Sequence, residues 1–256
     1  MSNLLSEGFK RTFKTMRFWV VLFITIGVSA FYVVMIYRMD KKHETTADIE
    51  NMASASSLIF LFLGLQALFM AIVPAMIVIR DFTQNTVRNK IICGHSRTKI
   101  YIANLITTSV VSMIYHIASM ATIVAIAVPL VGEGDLYTKC SLYYICTSCA
   151  LVLSFNAITV FMSMMVRKTS GAIFAYLIHE VAGIVLALAD LIKDEATKRF
   201  LYEFLPTGQL SVIQEGMMEN TFPPDNTAIF LPLYSLVFIV LSTVVGISFF
   251  KKADLK

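Results

Sequence analysis

Charge is what this sequence has least of. Only 15% of its residues are Asp, Glu, Lys or Arg, while 57% are hydrophobic, against about 25% and about 45–50% in an average soluble domain. Phosphate-binding chemistry is missing too. No Gly is followed by Lys, so the G-x-x-x-x-G-K-[ST] loop cannot be written anywhere in the chain. Neither G-x-S-x-G nor H-E-x-x-H occurs. There are four cysteines, Cys93, Cys140, Cys146 and Cys149, too few for a disulfide-dense scaffold. Cys146 and Cys149 share a helix face, but no second pair or neighbouring His completes a metal set, and they read as small apolar packing residues. No small-residue cleavage site follows the first apolar run, which reads as a retained anchor. These absences set aside a soluble enzyme, a nucleic-acid binder and a secreted disulfide protein.

What is there is apolar length. Six runs can each cross a hydrocarbon core about 30 Å thick at about 1.5 Å per residue. They lie at about 18–37, 58–79, 101–131, 140–166, 171–192 and 228–250. The segments between them divide by charge. With the N-terminus inside, the inner segments carry 14 Lys and Arg against 3 acids, and the outer ones 7 against 12. The positive-inside rule therefore places both termini in the cytoplasm. The expected fold is an all-α membrane protein with a single transmembrane domain over 1–256. Its parts are an interfacial helix (1–17), spans one and two (18–79), an inner loop (80–100), spans three to five (101–192), an outer loop (193–227) and span six (228–250).

The inner loop is the most informative segment. Asp81 with Gln84 three residues on forms a capping-box pattern. Val87 and Ile91 lie on one helix face, Gly94 is a natural left-handed stop, and Ser96 can cap the following span. A short amphipathic helix results, with an apolar stripe that needs either a partner surface or lipid headgroups.

The run Asp81-Phe82, Asn85-Thr86-Val87-Arg88-Asn89-Lys90, Gly94-His95-Ser96-Arg97, Ile100-Tyr101 resembles the inner loop of ABC-2 type permeases, the membrane subunits of ABC transporters. That loop has an acidic–aromatic pair, then Gly-Thr-x-Arg-Asn, then Gly-x-Ser-Arg. Asn85 stands where those permeases have Gly, a mild departure because Asn tolerates a left-handed backbone. Leu205-Pro206-Thr207-Gly208-Gln209 and the six-span layout also match. The resemblance implies that the loop helix is a coupling helix docking on a cytoplasmic ATPase, with Asp81, Phe82, Val87, Arg88, Ile91 and Arg97 at or near the contact. It implies two ATPase subunits, a second permease copy (identical or paralogous), and ATP and Mg bound in the partner and not in this chain. It further implies a bacterial plasma membrane, and export of amphipathic peptides or hydrophobic drugs.

Other features admit two readings. Leu5, Phe9, Phe13 and Met16 form an apolar arc beside Lys10, Arg11, Lys14 and Arg17, a basic helix for the headgroup region that either anchors in lipid or flanks the ATPase contact. His179 and Glu180 fall in mid-span five and His116 in mid-span three. A buried carboxylate there faces other helices or a wet path; with Tyr176 four residues before Glu180, the group lines a translocation path or dimer seam, or makes structural hydrogen bonds. Asp190 reaches the outer headgroups. Gly27, Gly64, Gly183 and Gly246 read as close-contact positions. In the outer loop Asp194 to Phe204 and Gln209 to Glu219 read as two short helices, with Pro206 between them and Pro223-Pro224 after; the resemblance implies that they form an outer cap over the central seam, partly re-entrant. Its acids, Glu203, Glu215, Glu219 and Asp225, suit release of cationic cargo.

No enzymatic activity is expected of the chain itself and no metal site. The competing classes are an intramembrane enzyme (protease or lipid-modifying) using Glu180, His179 and His116, and an ion-coupled transporter. Residues 179 and 180 point about 100° apart on a helix, which disfavours the first.

Overall fold

The computed structural model describes residues 1–43, 55–134, 136–168, 170–223 and 228–252. Pro224 and Asp225, named in the outer loop, and some of the charges counted in the inner and outer segments lie outside them. Ten helices are present among the described residues, and no strand. They are α1 (Ser2–Phe13), α2 (Met16–His43), α3 (Ala55–Thr83), α4 (Thr86–Ile92), α5 (Arg97–Val131), α6 (Lys139–Val166), α7 (Ser170–Ala189), α8 (Glu195–Phe204), α9 (Pro206–Met218) and α10 (Phe230–Lys252). Each apolar run of the sequence corresponds to one helix; the run 171–192 passes the end of α7 and the run 228–250 begins before α10.

Among the described residues four helices are long and apolar enough to cross a membrane: Met16–Met39, Arg97–Val131, Lys139–Val166 and Phe230–Lys252. α7 carries a shorter apolar stretch, Ile173–Ala189. Large apolar side chains point outward in rows. Phe23, Phe31 and Met35 do so on α2, Val181, Ile184 and Leu188 on α7, and Leu236, Val240 and Val244 on α10. The interior, by contrast, is rich in small polar groups, with Thr108, Ser112, His116, Ser119, Ser148, Ser154, Asn156 and Thr159 all fully buried. A water-soluble bundle sorts its residues the other way. Apolar outside and polar within is the arrangement of a chain dissolved in lipid, where van der Waals packing and interhelical hydrogen bonds replace the hydrophobic drive.

α6 is the central helix, packed against α3, α5, α7, α9 and α10. Several of its polar residues have local or cross-helix partners, while the Thr159 hydroxyl has none among the described residues. Ser163 donates to the Thr159 carbonyl (2.7 Å) and Asn156 donates to Ser109 on α5 (2.9 Å). His116 on α5 meets Ser148 on α6 at 3.1 Å, a structural bond between helices. Cys140 is buried, Cys146 exposed, and all four cysteines are free.

The bundle has two differently built ends. At one, α1 and α4 pack against α5, α3 and the last turns of α6 and α10, around Leu4, Val78, Val87, Ile100, Tyr101, Val160, Met164 and Phe250. The line on α1 that faces α5 is Leu4, Gly8 and Thr12, spaced four apart, with Leu4 and Thr12 buried. A β-carbon on Gly8 would come 2.8 Å from the Thr107 hydroxyl, so Gly8 lets α1 lie close on α5. The expected stripe is displaced from this line. Leu5, Phe9 and Phe13 are half-buried beside it and Met16 is exposed.

At the other end α8 and α9 form a helical hairpin inserted among α3, α6, α7 and α10. Phe204, at its turn, packs on Phe238 with ring centroids 5.0 Å apart. Phe238 lies about 12 Å along α10 from Phe230, so the turn reaches well down the bundle. Pro206 is not a spacer between the hairpin helices. It is the first residue of α9, where its fixed φ suits the opening turn. Gln209 is fully buried; it donates to the Glu203 carbonyl (2.9 Å) and accepts from Ser235 of α10 (2.6 Å). Gly208 and Gly216 make the insertion sterically feasible. A β-carbon on Gly208 would overlap the Tyr202 carbonyl, and one on Gly216 the Tyr144 hydroxyl. Gly246 lies likewise against Tyr101, while a β-carbon on Gly27 would meet nothing within 4 Å among the described residues, so its expected close contact is not made there.

Candidate functional site

The junction of α3, α4 and α5 is a rigid elbow, and its sequence explains why. α3 does not stop before Asp81. It continues to Thr83, so Asp81 sits in its last turn and is not the N-cap of the loop helix. Asn85 makes the corner with φ of 54° and precedes α4. Gly94 makes the next with φ of 85°, and the Ser96 hydroxyl accepts from Lys99 N–H to start α5.

Asp81 is buried because two cations reach it. Arg11 of α1 binds one carboxylate oxygen, and Lys90 of α4 binds the other at 3.0 Å, with Lys90 itself only 8% exposed. The same Arg11 binds Gln84, which also accepts from Arg80 at 3.3 Å. Arg80 donates to the Thr15 hydroxyl at 2.7 Å, between α1 and α2. One carboxylate thus locks α1, α3 and α4 together. A buried pair of this kind costs desolvation, and it fixes geometry where every oxygen is satisfied.

Of the six residues expected at a partner contact, the elbow turns most inward. Val87 is 1% exposed and packs in the chain's own core. Ile91 and Phe82 are partly buried there, with Phe82 edge-on to Phe250 at 6.2 Å. The Arg97 guanidinium donates to the carbonyls of Phe250 (3.2 Å) and Lys251 (2.8 Å), capping the end of α10. Arg88 alone of the six is exposed. It shares its face with Ile92, four residues on and 75% exposed, while Cys93 beside it is also open. α4 therefore has two stripes at four-residue spacing. Val87 and Ile91 bind the body, and Arg88 and Ile92 look out. The sequence contained both stripes and nothing to rank them, since only packing against α3 and α5 selects which faces in.

The mid-helix group on α7 does not converge. His179 is buried, its ring edge-on to Phe155 at 4.4 Å, and its Nε2 has no partner among the described residues. Its carbonyl accepts from Thr207 at the α9 start (3.4 Å). Glu180 is exposed on the neighbouring face and hydrogen-bonds with Tyr176, one turn back. Asp190 does more than reach outward: Lys198 (3.1 Å) and Tyr202 (3.0 Å) of α8 bind it, tying the end of α7 to the hairpin. Among the described residues no three His, Cys, Asp or Glu groups gather as metal ligands would.

A cavity opens beside the elbow, between α1, α2, α3 and α5. It is lined by Arg11, Arg17, Arg80 and Lys90 on its polar side and by Phe18, Val21 and Ile77 on its apolar side. Sequence reading had placed these arginines in a headgroup-facing tail and a loop, without bringing them together.

A search of curated proteins returns no match. A family model does match: residues 18–256 fit DUF2705, described as a protein of unknown function, and the chain belongs to that family.

Proposed function

We propose that the chain is the membrane-embedded permease subunit of an ATP-driven exporter whose ATPase is a separate polypeptide. In this reading α2, α3, α5, α6, α7 and α10 are six spans, both termini lie in the cytoplasm of a bacterial plasma membrane, and the α8–α9 hairpin enters from outside as a re-entrant cap. α4 is the coupling helix. Two permease copies and two ATPase subunits form the pump, with ATP and Mg held by the ATPases. The cargo is an amphipathic peptide or a hydrophobic drug.

The observation that carries the reading is the elbow. A lever that transmits motion must be stiff toward its own body and open toward its driver. α4 is clamped by Asp81, Lys90 and Val87 and exposes Arg88, Ile92 and Cys93. The ligand of such a partner shifts a two-state equilibrium only by its different affinity for the two states, and a soft joint would dissipate that difference locally. The contact thus moves from the Val87 and Ile91 stripe to the Arg88 and Ile92 stripe.

The test is Arg88→Glu, made with Ile92→Ser as a second variant. Both should fold normally, lower co-purification of the ATPase subunit encoded with the chain, and abolish cargo-stimulated ATP hydrolysis. Unchanged pull-down and unchanged transport in both variants would sink the proposal.

A further inference from the structure

The cavity beside the elbow has more positive charge than its own carboxylate can balance. Four cationic side chains line it, Arg11, Arg17, Arg80 and Lys90, against Asp81 alone. Asp81 is committed to Arg11 and Lys90. That leaves Arg17 and Arg80 with no ion pair among the described residues; burial first, then nearby Arg11 and Arg17, push the Arg80 guanidinium down, and Asp81 opposes them only in part. Like charges are held together here by the fold, and an anion would relieve them.

A second feature points into the same space. Asn104 of α5 lines the cavity, is 6% exposed, and its amide Nδ2 has no hydrogen-bond partner among the described residues. A buried unpaired amide donor costs on the order of 1–3 kcal/mol. Amide donor and guanidinium groups are the set that binds phosphoryl oxygens.

The walls say what carries the phosphate. Beside the cationic groups the lining is apolar, through Phe18, Val21, Val73, Met76 and Ile77, and Met76 is 47% exposed. The cavity offers about 70 Å³, room for a few water-sized groups and too little for acyl chains, which would stay outside it.

We infer that this cavity is a binding site for the phosphoryl headgroup of an anionic phospholipid, held by Arg17, Arg80 and Asn104. The site is independent of the transport reading. It would make the α1–α2 junction and the elbow sensitive to the anionic lipid content of the membrane, because Arg80 bridges bound lipid to Thr15 and Gln84.

Native mass spectrometry of the full chain in neutral detergent tests it, with added phosphatidylglycerol, phosphatidylcholine or inorganic phosphate as probes. Phosphatidylglycerol should be retained, phosphatidylcholine at least about fivefold less, from the worth of one cation near an anionic headgroup. Arg17→Gln, at an exposed position that folding does not need, should lower phosphatidylglycerol retention about fivefold, and Asn104→Leu should lower it as well. Lys168→Gln, at an exposed residue outside the cavity, should leave it unchanged. Thermal unfolding with and without phosphatidylglycerol gives a second readout, in which the lipid raises the midpoint of the wild type more than that of Arg17→Gln. Equal retention of the two lipids, or full retention by the Arg17→Gln, Asn104→Leu double variant, would overturn the inference. So would occupancy by inorganic phosphate at the lipid's own concentration, which would assign the cavity to a soluble phosphate compound.

Discussion

The α4 end and the α8–α9 end of this bundle both bury polar groups, but by different means. At the α4 end, full charges are brought together. Asp81 is satisfied by Arg11 and Lys90, and neighbouring cations remain in excess. At the hairpin end one carboxylate is buried, Glu203, paired with Arg199 four residues earlier at 2.7 Å, and the bonds that tie the hairpin to neighbouring helices are neutral. Gln209 joins a backbone carbonyl to Ser235, and Tyr144 donates to the Thr221 carbonyl at 3.1 Å. Steric fit does the rest, through Gly208 and Gly216. The contrast follows from position. An element near the edge of a lipid-embedded body can draw on long basic side chains whose heads stay near water. An element inserted between helices must satisfy its backbone with neutral partners, because an unpaired charge there is far costlier.

The contrast can be broken in a definite order. The largest effect is expected for Asp81→Ala, which leaves Lys90 buried with no counter-charge. Removing one partner of a buried pair costs about 3–5 kcal/mol, seen as a lower unfolding midpoint in detergent. Adding Lys90→Met should recover much of that loss; a double variant as unstable as the single one would mean that the charge is not what locks the elbow. Next comes Gly208→Ala. The overlap is with the backbone carbonyl of Tyr202, which cannot rotate away, so about 1–3 kcal/mol is expected. That loss should be independent of pH and salt, and a marked salt dependence would erase the distinction between the two ends.

The smallest effect tests the charged N-cap of the hairpin. Asp194 precedes α8, and its carboxylate accepts from the Thr197 hydroxyl and N–H. The Thr197 side chain first, and its backbone second, hold the Asp194 carboxyl below the ordinary carboxylate range. A depressed folded value means stability that is present above the unfolded value of about 4 and lost as pH falls through the folded one. Asp194→Ala should therefore be slightly less stable than wild type at pH 7 and indistinguishable from it in strong acid. A difference that grows on acidification would refute the cap.

Much of the elbow was written locally. Asn85 at the left-handed corner, Gly94 at the stop and Ser96 as the cap all act on backbone a few residues away, so their residue types suffice to place them. Asp81 was misread for the opposite reason. A carboxylate three residues before Gln84 has the form of a capping box, but Arg11, seventy positions earlier, and Lys90 claim it, and α3 runs through it. Likewise Leu5, Phe9 and Phe13 made the more apolar stripe on α1, yet α5 selected the line of Leu4, Gly8 and Thr12, because the small Gly8 and Thr12 let the two helices close up beside Leu4.

Composition and periodicity alone determined that this chain is helical and lipid-embedded, where its long helices run, and where its loop corners fall. Those properties depend on bilayer thickness, helical rise and local backbone preference, all of which a linear string records. Only the tertiary structure decided which stripe of α4 faces outward, that the α8–α9 hairpin reaches down beside α10, and that Arg11, Arg17, Arg80 and Asn104 share one cavity. Those facts depend on contacts between distant segments, and the energy of a distant contact is not carried by the residues near either partner.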